Sequence, residues 1–267
     1  MRVLLTGPAE PGECAKLRTV PISDLPSMRD AWEEHAELWA AWARTPDHDH
    51  FFWHYNLPRF LEILPPPGEL TLDVGCGEGR VARTLTELGH RVVALDGSPT
   101  LARYAAEHEQ QPLVAAVADA VALPLPDAVA DGAIAFMSLQ DVDDLSGAVD
   151  ELGRVLRPGA VLCVAILHPV STAGEYADDA IDANFVLEHP YPEPRRFVDQ
   201  IERDGLRMEF HSIHRPLATY ADALHDAGFV IDLLREPVPD ALAIARFPRL
   251  ARQNLVPWYL HVRAIRT

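Results

Sequence analysis

Residues 71–80, Thr71-Leu72-Asp73-Val74-Gly75-Cys76-Gly77-Glu78-Gly79-Arg80, carry an apolar strand into a glycine-rich turn and then a helix. Glycines at 75 and 77 let a ligand come close to the backbone at the strand end, and the N-terminus of the following helix offers free amide donors. The spacing bears on which ligand. A dinucleotide fingerprint has its third glycine where Arg80 stands. The Asp73 carboxylate beside the turn repels pyrophosphate, yet it can hold an ammonium directly or through water. Asp96 ends the next apolar run about 20 residues on, where an acid can accept from both hydroxyls of a ribose. Asp119 and Ala120 follow the third run, at the place an adenine ring would reach, and a carboxylate there can accept from the exocyclic amine. Three acids at three successive strand ends fit a nucleoside that carries an amino-acid tail and no phosphate. Taken singly, each acid could instead cap a helix or end a solvated loop.

The elements that must position these residues alternate between strand and helix. Strands are expected at 69–75, 91–96, 113–118, 132–137 and 160–167. Val81, Leu85 and Leu88 share one face of the first intervening helix, and Leu145, Ala148, Val149, Leu152, Val155 and Leu156 form the stripe of a later one. Such alternation builds a parallel sheet covered on both faces. Upstream, residues 1–30 read as an extended arm. A helical lead-in covers 31–68, with Pro46 and Pro58 dividing it and Pro65-Pro66-Pro67-Gly68 ending it. The core is expected over 69–267. Residues 169–205, with Pro169, Pro190, Pro192 and Pro194, interrupt the rhythm and are expected to be a functional loop or lid. Regular structure should return at 206–214, in a helix over about 216–227, in a strand at 229–234 and in a last strand at about 256–265.

Five motifs in order, LDVGCGEGR, VVALDGS, DAVALPLPDAVAD, ELGRVLRPGAVL and the LHP that follows, resemble the class I S-adenosylmethionine-dependent methyltransferases of the ubiquinone/menaquinone-biosynthesis type. The resemblance is strong over roughly residues 70–168 and weaker through HRPLATYADALHDAGF. It implies an α/β, Rossmann-like fold with a seven-stranded sheet in order 3-2-1-4-5-7-6, the last strand antiparallel, flanked by helices. It also implies S-adenosyl-L-methionine as cofactor, held by Asp73, Gly75, Gly77, Asp96, Gly97, Ser98, Asp119 and Ala120, with Met137 and Ser138 flanking its methionine part. Ala160 stands where the family usually has the second glycine of Pro-Gly-Gly, in a turn remote from the cofactor.

A sulfonium carries its own electrophile, so such an enzyme must align a nucleophile, exclude water and take up any proton released. His168, at the end of the fifth strand, and Asp141, after the fourth, are the candidate bases; shaping a turn and capping a helix are their alternatives. Tyr55 in the lead-in is expected on the cofactor, with Phe52 and Trp53 as apolar wall, and His211, His214 and Tyr220 could face the pocket from the C-terminal part. Two clusters imitate metal sites, His48, Asp49, His50 and His54, and Asp141, Asp143 and Asp144, but solvated faces explain both and no metal is expected.

The formal net charge of −17 in 267 residues argues against nucleic acid as substrate, since no basic face offsets it. Cys14, Cys76 and Cys163 are odd in number and scattered, which suits a reducing cytoplasm, and no apolar run is long enough for a membrane span or a signal peptide. The expectation is a cytoplasmic enzyme, monomer or homodimer, that methylates an oxygen or nitrogen of a small-molecule metabolite. An NAD-dependent oxidoreductase and a non-enzymatic S-adenosylmethionine-binding module are the alternatives.

Overall fold

A computed structural model describes residues 2–6, 17–21, 26–45 and 48–267. Along the chain run β1 (Arg2–Thr6), β2 (Leu17–Pro21), α1 (Met28–Glu34), α2 (Ala36–Arg44), a π-helical turn (Phe52–Asn56) and α3 (Leu57–Leu61). The core begins with β3 (Thr71–Val74), α4 (Arg80–Glu87), β4 (Val92–Asp96), α5 (Pro99–Ala106), β5 (Val114–Val117), β6 (Ala130–Phe136), α6 (Leu145–Val155) and β7 (Leu156–Leu167). After it come β8 (Gly174–Tyr176), β9 (Phe185–Leu187), β10 (Arg195–Arg203) and β11 (Leu206–His214). The chain ends with α7 (Leu217–Asp226), β12 (Phe229–Arg235), α8 (Ala241–Arg246) and β13 (Tyr259–Arg266).

The main sheet has seven strands in the order β12-β13-β7-β6-β3-β4-β5. Numbered within the sheet, that is 3-2-1-4-5-7-6. β13 runs antiparallel to both of its neighbours and the first five strands are parallel. Leu72, Val164 and Leu260 pack against Leu145, Val149 and Leu152 of α6 and Leu224 of α7 on one face. On the other face Ala94, Ile134 and Cys163 pack against Leu85 of α4 and Phe60 of α3. Each of the valine, leucine, isoleucine and phenylalanine side chains among them contributes roughly 1.5–3 kcal/mol on leaving water, so the strand ends are carried on a rigid scaffold. Gly89, at φ +93°, closes α4 in the left-handed conformation expected of a helix end.

Where a loop is expected over 169–205, the chain is largely ordered. β8 and β9 form a hairpin, and β10 pairs with β11 from Arg195↔His214 to Arg203↔Leu206. With β1 and β2 these strands make a second sheet, in the order β11-β10-β1-β2. The prolines mark turns between short strands. The charges of RRFVDQIER conceal a two-residue alternation, in which Asp199, Ile201 and Arg203 share one face. Part of the expected N-terminal arm is thus strand, although Cys14 lies outside the described residues. Among the described residues no helix is long and apolar enough to cross a membrane, and Cys76 and Cys163 are buried and free.

Candidate active site

A cavity of about 900 Å³ opens at the C-terminal ends of β3, β4, β5 and β6, the edge where open parallel sheets bind ligands. Its floor is the turn after β3. Gly75 and Gly77 have φ of +75° and +58°, which a side chain would strain. A Cβ at Gly75 would also lie 2.3 Å from Cβ of Ser138, and one at Gly77 3.1 Å from the Trp39 indole nitrogen. Ser138 is itself anchored, its hydroxyl donating to the Val74 carbonyl at 2.7 Å.

Asp73 is buried on the cavity wall, and its Oδ2 has no hydrogen-bond partner. Burial, and next the nearby Asp96 carboxylate, push its pKa up to about 8. A buried carboxylate oxygen left unpaired is costly until a donor or cation arrives, so this one suits an ammonium entering from the cavity. Asp96 accepts from the Gly77 N–H at 2.7 Å and from the Ser98 N–H at 2.8 Å. Each oxygen retains lone-pair capacity for a hydroxyl. Burial raises its pKa to about 6 in spite of those two donors. Asp119 stands more open at the next strand end, its Oδ1 accepting from the Val121 N–H at 3.2 Å.

The helical lead-in closes this rim. Ser27 caps α1, its hydroxyl accepting from the Asp30 N–H at 3.1 Å. From α1, Arg29 Nε donates to the Gly97 carbonyl at 2.9 Å and its guanidinium lies 3.8 Å from Asp119. Glu33 accepts from the Ser98 hydroxyl, the Thr100 hydroxyl (2.8 Å) and the Thr100 N–H (3.2 Å). Burial pushes the Glu33 pKa up, but those hydrogen bonds outweigh it and hold the group below its ordinary value. Across the cavity Arg80 lies over the rings of Phe52 (3.5 Å) and Trp39 (4.7 Å) and pairs with Asp49 at 2.8 Å.

At the end of β6, Met137 takes φ +56°, a conformation that non-glycine residues hold only under constraint and often beside a ligand. Its N–H donates to Ala165 O at 2.7 Å, and its carbonyl accepts from the Gln140 amide at 2.8 Å. Asp141 follows, accepting from the Ser212 hydroxyl of β11 at 2.7 Å. Burial lifts the Asp141 pKa well above the usual carboxylate value; the Ser212 hydrogen bond and the Arg215 charge pull it back without prevailing. The second sheet forms the roof, contributing Asp199, Ile201, Arg203, Phe210 and Ser212.

Asp73, Gly75, Gly77, Asp96, Gly97, Ser98, Asp119, Ala120, Met137, Ser138 and Asp141 thus meet on one cavity wall. Tyr55 and His168 do not. Tyr55 is buried against Tyr259, and its hydroxyl donates to the Pro237 carbonyl at 2.6 Å. His168 Nδ1 accepts from the Val170 N–H at 3.1 Å, so its proton sits on Nε2, 2.9 Å from Glu236. Its ring folds back into the turn before β8 instead of pointing along the strand. Of the expected apolar wall Phe52 lines the cavity, whereas Trp53 is exposed. His211, His214 and Tyr220 lie outside the cavity lining, His214 held by Thr172 and the Tyr191 carbonyl. The two metal-like clusters are dispersed among other partners. His48 pairs with Asp204, Asp49 with Arg80, and His50 stacks on Phe247; Asp143 pairs with Arg196, and Asp144 caps α6. Sequence reasoning missed Arg29, Glu33, Trp39, Gln140 and the roof residues. The β10 alternation was the one signal that could have found the roof; the others sit on faces fixed only by packing.

An open parallel sheet in this order, with an antiparallel strand inserted beside the fifth and three acids along its C-terminal edge, defines the class I methyltransferase architecture. The methyltransferase-domain family, Methyltransf_11, matches residues 72–164. The chain is 28% identical over 182 residues to a ubiquinone/menaquinone biosynthesis C-methyltransferase of Caulobacter vibrioides, covering 62% of this chain and 70% of that protein. It is 40% identical over 106 residues to a malonyl-[acyl-carrier protein] O-methyltransferase of Serratia marcescens, 38% of this chain and 39% of the relative. An S-adenosylmethionine-dependent methyltransferase from Mesorhizobium loti superposes with a TM-score of 0.65 at 26% identity, over 78% of this chain and 96% of that one. Residues 72–164 thus form a methyltransferase domain, and the chain, an enzyme of methyl transfer, is similar in sequence and fold to S-adenosylmethionine-dependent methyltransferases.

Proposed function

We infer that this enzyme methylates an oxygen or nitrogen of a small, partly apolar metabolite, enclosed with the cofactor between the main sheet and the roof. The observation that carries this is the cavity itself. Ligand pockets run from about 300 to 1,000 Å³. At about 900 Å³ this one stands at the upper end, with room for a nucleoside along β3–β5 and a second small molecule under β10 and β11. Bound S-adenosylmethionine would supply the electrophilic methyl group. Asp73 would hold its ammonium, Asp96 its ribose and Asp119 its adenine amine, with Met137 and Ser138 beside the methionine part. The formal charge of −17 speaks against nucleic acid as acceptor. The domain reading follows: α1–α3 and β10–β11 as lid and roof on a core that starts near residue 69.

The proton acceptor in this reading is Asp141. It lies on the cavity wall with a raised pKa and a Ser212 hydroxyl to orient it, whereas His168 is engaged elsewhere. Purified enzyme incubated with methyl-labelled cofactor and a metabolite extract of the native producer should give a labelled small molecule, identified by mass spectrometry. Label that appears only in macromolecules would contradict the small-molecule reading.

A further inference from the structure

Outside the cavity, three side chains from opposite ends of the sequence converge: His35 at the break between α1 and α2, and Glu209 and His211 on β11. One potential ligand atom from each lies within 4.8 Å of the other two. His35 Nδ1 is 2.8 Å from the Ala31 carbonyl, which can only accept, so the ring proton is on Nδ1 and the Nε2 lone pair is directed elsewhere. That Nε2 meets Glu209 Oε2 at 3.3 Å. At that distance the two lone pairs are satisfied by a second ring proton or by a cation bound between them. The same carboxylate oxygen is 3.7 Å from His211 Nε2, a buried nitrogen with no hydrogen-bond partner. The other oxygen of Glu209 is already fixed, accepting from Gln200 at 2.5 Å and facing Arg207 at 3.4 Å.

We propose that His35, Glu209 and His211 form a binding site for a divalent zinc-type ion, which clamps the α1–α2 lid to the roof sheet. Two imidazoles and one carboxylate are a zinc donor set, and the side chains retain enough exposure for a water in the fourth position. Ligands bound at about 2.0–2.1 Å on tetrahedral axes stand roughly 3.3 Å apart. The His35–Glu209 spacing already has that value, and His211, 3.7 Å from Glu209 and within 4.8 Å of the His35 ligand atom, would move inward to complete the set. The hydrogen bond from His35 Nδ1 to a carbonyl and the anchoring of Glu209 by Gln200 and Arg207 are the supports that orient metal ligands. Glu209 and His211 alternate with Phe210 and Ser212 of the cavity roof along β11, so the ion sits on the far side of the strand from the reaction. Its effect is mechanical. α1 carries Arg29 and Glu33 to the rim formed by Gly97 and Ser98, so fixing α1 to β11 closes the rim over the nucleoside. This consequence, though not the metal site, rests on the cofactor assignment above.

The test uses the full chain, stripped with chelator and titrated with Zn²⁺ or Co²⁺. One equivalent should bind at micromolar or tighter affinity, and Co²⁺ should give the visible absorption of a four-coordinate site. Glu209→Gln, which preserves shape, and His211→Ala should each weaken binding by at least about tenfold. S-adenosylhomocysteine should bind several-fold more tightly with Zn²⁺ than without, in the wild type but not in Glu209→Gln. Absence of stoichiometric metal binding, or binding that survives both substitutions, would overturn the site. Metal binding with unchanged S-adenosylhomocysteine affinity would overturn the clamp. Measurable S-adenosylhomocysteine binding to the metal-free protein keeps the cofactor reading separate from either failure.

Discussion

Asp73 and Asp96 are held in conflict by the fold. Both are buried acids whose folded pKa values are raised above 3.8, to about 8 and about 6. The ligand-free folded enzyme therefore keeps protons that the unfolded chain releases. The stability this contributes is full below pH 3.8 and is lost as pH rises through about 6 for Asp96 and about 8 for Asp73. In the proposed cofactor site both acids act in their ionised forms, so S-adenosylhomocysteine affinity, followed by calorimetry, should increase between pH 5.5 and 8.5, roughly the span of the two pKa values. Asp73→Asn should raise the ligand-free Tm at pH 8 by about 2–4 °C while weakening S-adenosylhomocysteine binding about tenfold or more. A drop in both quantities would instead make Asp73 a structural residue. The two candidate bases separate in the same way. Asp141→Asn should lower kcat by about 10²-fold or more with cofactor affinity little changed. His168→Ala should cost less than about threefold in kcat and appear mainly as a lower Tm, because its ring serves the turn. The reverse pattern in steady-state kinetics would return the role to His168.

At the scale of elements, α1 is the part that turns an open strand edge into a closed site. Glu33 holds it through three hydrogen bonds to the start of α5. Glu33→Ala should weaken S-adenosylhomocysteine about 3- to 30-fold through loss of closure and leave the Tm within a few degrees, and unchanged affinity would show that α1 is passive. The core elements were legible in the sequence because apolar runs bounded by glycine and acid leave few alternatives. β3, β4 and β6 fall within a few residues of their expected positions, and the acids fall at strand ends because the turns that follow are short. β10 was not legible. Its cavity-facing positions, Asp199, Ile201 and Arg203, are mostly charged, so the hydrophobic contrast on which periodicity depends is weak. Tyr55 and His168 were misplaced for a related reason. Sequence gives the end of a strand or helix, but not the rotamer chosen there, and Pro237 O and Glu236 lie on a segment some 70 to 180 residues away.

For the whole molecule, the cavity lies between two sheets, and its closure depends on contacts across that gap. Trp39 and Trp42 meet Phe210 at 5.8 and 6.3 Å, and the Trp32 indole N–H donates to the His211 carbonyl at 3.2 Å. These contacts are few beside those within the main sheet, so lid and roof should open at lower free energy than the core. Hydrogen exchange should therefore slow in residues 28–44 and 195–214 on addition of S-adenosylhomocysteine, with β3 and β6 already protected beforehand. Uniform protection across the chain would contradict a separately closing lid. The most direct measurement of the central claim is calorimetric titration with S-adenosylhomocysteine, on the wild type and on Asp96→Ala. The site described predicts one molecule bound per chain at micromolar affinity or better, weakened in Asp96→Ala by about 1.5–3 kcal/mol, roughly ten- to a hundredfold. No binding by the wild type, or equal affinity in Asp96→Ala, would contradict it.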